Sequence, residues 1–104
     1  MATERKSAPF AIHPGEHLKE FIEGYGITQY RLAKDIGVPQ DRVSKIIRGQ
    51  RGITADTALR LGRYFDMSPE FWLGLNEQYE LERAKRDLGP SIAKQIKPIE
   101  TAVG

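Results

Sequence analysis

Residues 28–50 read TQYRLAKDIGVPQDRVSKIIRGQ. Two short helical patterns lie here with almost nothing between them. Thr28 is of the type that caps a helix start by accepting a backbone N–H. Leu32, Ala33 and Ile36 then share one helical face, and Gly37 stops the segment. After Val38 a second helix is expected from Pro39, turning Val43, Ile46 and Ile47 inward and ending at Gly49. A tight glycine-containing turn between two short helices is the outline of a helix-turn-helix, whose second helix lies in the major groove of DNA.

Outward from this pair the same periodicity recurs. Upstream, Pro14 stands where a first helical residue often is, and Leu18, Phe21, Ile22 and Tyr25 follow at helical spacing until Gly24 and Gly26. Downstream, Thr54 caps a fourth helix with Ala58, Leu61, Gly62 and Phe65 on one side. In DMSPEFW (66–72) a stop is followed at once by a start: Ser68 caps, Pro69 opens the helix, and Glu70 favours its dipole. This fifth helix carries Phe71, Trp72, Leu75 and Tyr79 and is expected to run to Leu88, where Gly89-Pro90 breaks it. The expectation is an all-α, five-helix domain built around a helix-turn-helix over residues 12–88. A flexible arm (1–11) would precede it, and a flexible or partner-ordered tail (89–104) would follow. No strand pattern and no internal repeat is present.

The bulk composition agrees with one soluble domain. With 104 residues, 39% hydrophobic and 29% charged, the chain is an ordinary globular one. No apolar run has membrane-spanning length, and the polar opening MATERKSAPF is unlike a signal peptide. The absence of cysteine removes disulfides, thiolate metal sites and cysteine nucleophiles, and a cytoplasmic protein is expected. Net charge is only +2, but it is unevenly placed. Residues 28–51 carry six bases (Arg31, Lys34, Arg42, Lys45, Arg48, Arg51) against Asp35 and Asp41, a local +4. Such segregation favours a local anionic partner.

With Val43, Ile46 and Ile47 inward, the opposite face of the third helix is polar and cationic. Gln40 can pair with adenine, while Arg42 or Lys45 can donate to guanine O6 and N7. Ser44 suits a base or a phosphate. Asp41 either accepts from cytosine or favours its own helix dipole. Arg48 and Arg51 are placed for backbone phosphates, as is Gln29 at the start of the second helix.

Residues 13–17, HPGEH, also match H-x-x-E-H, a spacing in which two histidines hold zinc and a glutamate acts as base. Zinc needs converging rings and a third ligand. Here Pro14 puts His13 at the non-helical cap position and His17 on the first turn, so a helix start is the expected reading. The chain lacks a P-loop lysine at its spacing and a nucleophile elbow. An aromatic platform for single-stranded RNA is also missing. We therefore expect neither an enzyme nor a metal or other cofactor.

The segment TQYRLAKDIGVPQDRVSKIIRGQRGITADTALRLGRYFDMSPEFWLGLNEQYEL (28–81) resembles the HigA antitoxins, also called VapI, within the Xre/Cro-like helix-turn-helix regulators. The likeness covers roughly residues 12 to 85. Its helix-turn-helix part is general to many regulators, whereas RGITADTALRL with SPEFWLGLN, preceded by HPGE, is specific to the antitoxin branch. The resemblance implies a homodimer that binds a palindromic double-stranded DNA operator, represses its own operon and neutralises a RelE-like (HigB-type) mRNA-cleaving toxin. It implies the lambda-repressor-like form of the fold. It places Gln40, Asp41, Arg42, Ser44 and Lys45 at base-reading positions, Gln29 at a backbone contact, and the fifth helix around Trp72, Leu75 and Tyr79 at a dimer interface. From their helical spacing alone, Phe71 and Trp72 read instead as core residues. An orphan regulator of the same fold without a toxin is the alternative.

Overall fold

The computed structural model describes residues 12–100, which form five helices and no strand. They are α1 (Pro14–Tyr25), α2 (Gln29–Ile36), α3 (Gln40–Ile47), α4 (Ala55–Phe65) and α5 (Pro69–Gln95). The expected arm, residues 1–11, lies outside the described residues, as do residues 101–104 of the tail.

Each start but one is capped by its own side chain. Thr28, Thr54 and Ser68 accept from the backbone N–H groups of Arg31, Thr57 and Glu70. Such a cap contributes about 0.5–2 kcal/mol. His13 caps α1, its Nδ1 accepting from the Gly15 N–H at 2.9 Å, while its ring packs edge-on to Tyr79 with centroids 4.8 Å apart. Partial burial holds the imidazole below its ordinary value of 6.5, against the pull of Glu80 and Glu16 and with a small contribution from Arg83. The neutral form is the one that can accept the cap bond. HPGEH thus builds a helix start, with Glu16 in its first turn. Only α3 lacks a side-chain cap: Pro39 occupies the cap position and the helix begins one residue later than expected, at Gln40.

Leu18 and Ile22 of α1 meet Leu32, Ala33 and Ile36 of α2, Val43 and Ile46 of α3, Ala58, Leu61 and Phe65 of α4, and Trp72 of α5 in one core. Ile53, from the loop after α3, joins them. Two contacts set the placement of α3. Gly37 closes α2 in the left-handed conformation, φ +74°, so the chain turns into α3 within three residues. Gly15 lies directly on the end of α3, where an added Cβ would sit 2.0 Å from the Ile46 carbonyl oxygen. Tyr25, expected to face inward, is 63% exposed and lies against Phe65 at the core's edge. Ile47 is half-buried.

The fifth helix departs furthest from expectation. It passes through Gly89 and Pro90 and ends at Gln95, so the expected stop at Leu88 is corrected. Proline's ring fixes a helical φ; the N–H bond it forfeits and the carbonyl it crowds four residues back matter less where water can solvate that carbonyl. Gly89 does not adopt the left-handed conformation that ends α1 and α2. Beyond Tyr79 the helix leaves the core, which gives the molecule its 56 × 36 × 23 Å extents. Leu81, Leu88 and Ile92 stand about half exposed along it.

Two alanine substitutions test the packing. Gly15→Ala should lower stability by about 1–3 kcal/mol through overpacking, because the methyl group meets backbone that cannot rotate away. Gly24→Ala, inside α1 with nothing within 4 Å, should be neutral or stabilising by up to about 1 kcal/mol. Urea unfolding followed by circular dichroism measures both.

Candidate nucleic-acid interface

At about 100° per residue, Gln40, Asp41, Ser44, Lys45 and Arg48 fall within an arc of about 140° of α3, opposite Val43 and Ile46. The structure keeps this face outward. Gln40, Asp41, Lys45 and Arg48 are exposed and Ser44 is half-buried. Arg51 is exposed in the loop that follows, and Gln29 is half-buried at the first residue of α2. The expected base-reading set, apart from Arg42, thus shares one surface with the expected phosphate contacts of α3.

Asp41 has a partner on this surface. Its carboxylate meets the Lys45 ammonium at 3.2 Å, one turn on, with both side chains well exposed. A pair of this kind contributes little to stability. It does orient Lys45 and offsets the repulsion that a lone carboxylate would exert on phosphates.

Arg42 is drawn aside. One of its terminal nitrogens donates to Asp56 in the first turn of α4 at 2.9 Å, and its Nε is buried without a partner. A bidentate contact with guanine needs two free donors on one edge of the guanidinium. The bond to Asp56 and the burial of Nε leave Arg42 fewer free donors than an unpaired arginine has, whereas Lys45 stays exposed on the outer face.

Asp56 and Arg60 are the residues that sequence reasoning passed over. Arg60 Nε donates to both Asp56 oxygens, at 3.2 and 3.1 Å, and its terminal nitrogen donates to the Ile36 carbonyl at 2.8 Å. A chain of charged hydrogen bonds therefore runs from α3 through α4 to the C-terminal end of α2, spanning the turn. Nearby, Asp35 accepts from the Tyr64 hydroxyl at 2.6 Å and from Arg31 Nε at 3.0 Å. The i, i+4 spacing of Asp56–Arg60 and Arg31–Asp35 is visible in the sequence. The links from Arg42 to Asp56 and from Tyr64 to Asp35 cross 14 and 29 residues and leave no local signal.

These two aspartates titrate away from their ordinary value of 3.8. The Arg60 hydrogen bond, then that of Arg42, lowers Asp56; the Tyr64 hydrogen bond, then that of Arg31, lowers Asp35. Among the described residues no three His, Cys, Asp or Glu side chains form a cluster suited to a metal ion. No described helix is long and apolar enough to cross a membrane.

An all-α unit with this tight helix pair and outward polar helix is a helix-turn-helix protein, and the comparisons agree. The sequence profile of the helix-turn-helix family matches residues 18–72. Virulence-associated protein I of Dichelobacter nodosus is 47% identical over 78 residues, 74% of this chain and 72% of that protein. Antitoxin HigA-1 of Vibrio cholerae is 36% identical over 91% of this chain and 90% of its own length. The Pseudomonas aeruginosa antitoxin HigA, solved with the higBA promoter, superposes with a TM-score of 0.83 at 44% identity, over 86% of this chain and 98% of that one. The chain belongs to the Xre-type helix-turn-helix family, in the branch of the HigA (VapI) antitoxins.

A pH series tests the charge chain. A carboxylate whose folded value is lowered stabilises the fold above its unfolded value, and that contribution is lost as pH falls through the lowered one. Melting temperature should therefore drop as the pH is taken from 5 down past the ordinary aspartate value of 3.8. Asp56→Asn should melt lower than the parent at pH 6 and show a shallower acid decline. A decline of unchanged steepness in Asp56→Asn would remove Asp56 from the account.

Proposed function

We propose that this chain is the antitoxin of a toxin–antitoxin module, a homodimer that binds a palindromic operator, represses its own operon and neutralises a RelE-like, HigB-type toxin. The observation that carries the reading is the outward face of α3, where Gln40, Ser44, Lys45 and Arg48 stand together without a large apolar residue, continued by Arg51. The Pseudomonas aeruginosa relative solved with its promoter supports DNA as the ligand, and the antitoxin names of the relatives support the toxin half of the proposal.

In this reading Gln40, Asp41, Ser44 and Lys45 face base edges. Gln29, Arg48 and Arg51 meet phosphates, and Arg42 reaches the groove edge only with the guanidinium edge that Asp56 leaves available. A two-fold dimer would present two copies of α3 about 34 Å apart, one DNA turn. The dimer surface belongs to α5, although not to all three residues expected there. Trp72 is completely buried in the core and has no surface to offer, while Leu75 and Tyr79 are half-buried. The apolar atoms that α5 leaves uncovered lie further along, at Leu81, Leu88 and Ile92.

Lys45→Ala should change which operator bases are tolerated, at about 1–3 kcal/mol of lost discrimination for a good contact. Arg51→Ala should weaken all sequences alike and flatten the salt dependence of binding. Binding to a randomised library of operator duplexes at several salt concentrations separates the two; identical sequence profiles would refute the division of labour. For the toxin half, co-expression with the product of the neighbouring reading frame should restore growth and yield a co-purifying complex. Repression without rescue would leave a regulator that has no toxin.

A further inference from the structure

Asn76 is a polar residue on the side of α5 that faces the rest of the molecule. It falls one turn after Trp72, which fills the core, and three residues before Tyr79, which packs on His13. Its Oδ1 accepts from the Ile53 N–H at 2.8 Å. Gly52 runs so close that an added Cβ would sit 2.5 Å from that same oxygen. Ile53 is itself in the core, so the end of the loop is anchored twice, by its side chain and by its N–H. The beginning of the loop is tied to α3, with the Gly49 N–H on the Ile46 carbonyl at 3.0 Å and the Gln50 N–H on the Lys45 carbonyl at 2.8 Å. Between these anchors stand Arg51, exposed, and Gly52, half-buried.

A backbone N–H turned inward needs a partner, and no neighbouring helix carbonyl fills that place for Ile53. An amide side chain on the packed half of α5 supplies it. The start of the loop is set by Gly49, at φ +76°, and by the bonds to α3, whereas its end is set from α5. We propose that Asn76 is a positioning residue for the phosphate contact of Arg51. By holding the Ile53 N–H it fixes the far end of the loop, and with it the backbone from which the Arg51 side chain projects beside the recognition helix. The inference rests on the reading of Arg51 as a backbone contact and adds to it a residue on a different helix, 25 positions away in the chain.

The salt dependence of binding to a duplex of random sequence tests this without knowledge of the operator. Loss of one phosphate contact flattens the slope of log K against log salt by about 0.9. Arg51→Ala and Asn76→Ala are each expected to flatten it by about that amount, and the double variant by no more than either alone. Asn76→Ala should also leave base preference unchanged and speed amide exchange at Ile53. A wild-type slope in Asn76→Ala, or additive flattening in the double variant, would overturn the proposal. If Asn76→Ala does not fold, Gly52→Ala carries the same test, because its methyl group pushes the loop off the Asn76 amide without altering α5. A parent protein that binds the duplex with no salt dependence would instead refute the DNA-binding reading itself.

Discussion

The reversal at Gly37 is the constraint on which the rest of the molecule depends. A left-handed residue at φ +74° lets the chain leave α2 and enter α3 within three residues, the tight turn of a helix-turn-helix. Leu32, Ala33 and Ile36 then have to meet Val43 and Ile46, and the polar face of α3 has to look away. Every other element holds that pair in place. Gly15 brings α1 onto the backbone of α3, α4 grips the turn through Arg60, and α5 closes the core with Trp72.

Electrostatics acts here through position more than through strength. Apart from Arg42, whose side chain is mostly covered, the members of the ion pairs on α3 and α4 are largely exposed, and exposed pairs contribute little stability one by one. Their effect is to decide which cations remain available. Asp56 engages Arg42 and Arg60, Asp35 engages Arg31, and Asp41 aligns Lys45 on the outer face. The excess positive charge of residues 28–51 is therefore sorted. Some of it stabilises the helix pair from behind, and the rest faces outward along α3 and its following loop.

The fifth helix has two halves with different tasks. Its first half is part of the domain, with Trp72 in the core, Asn76 on the loop after α3 and Tyr79 against the His13 cap. Its second half extends past Pro90 with apolar residues uncovered.

Much of the fold was legible in the sequence because its signals are local. Caps at Thr28, Thr54 and Ser68, the stop at Gly37 and the helical spacing of the core residues each depend on neighbours within about four positions. The same locality showed that HPGEH begins a helix, since proline at the first position dictates where both histidines fall. Local rules misplaced the end of α5, because a proline on an exposed helix costs less than it would in the interior, and they treated Tyr25 as a core residue at a helix end where the core had already closed. Of the site, the polar face of α3 could be read from periodicity alone. The partners of those residues could not. That Arg42 belongs to Asp56 and that Asn76 holds the Ile53 N–H are consequences of chain segments 14 and 23 residues apart being packed together. Hydrogen-bond geometry and burial exist only once that packing is made, so the sequence determined which face α3 presents, and the tertiary structure decided which of its charges are available.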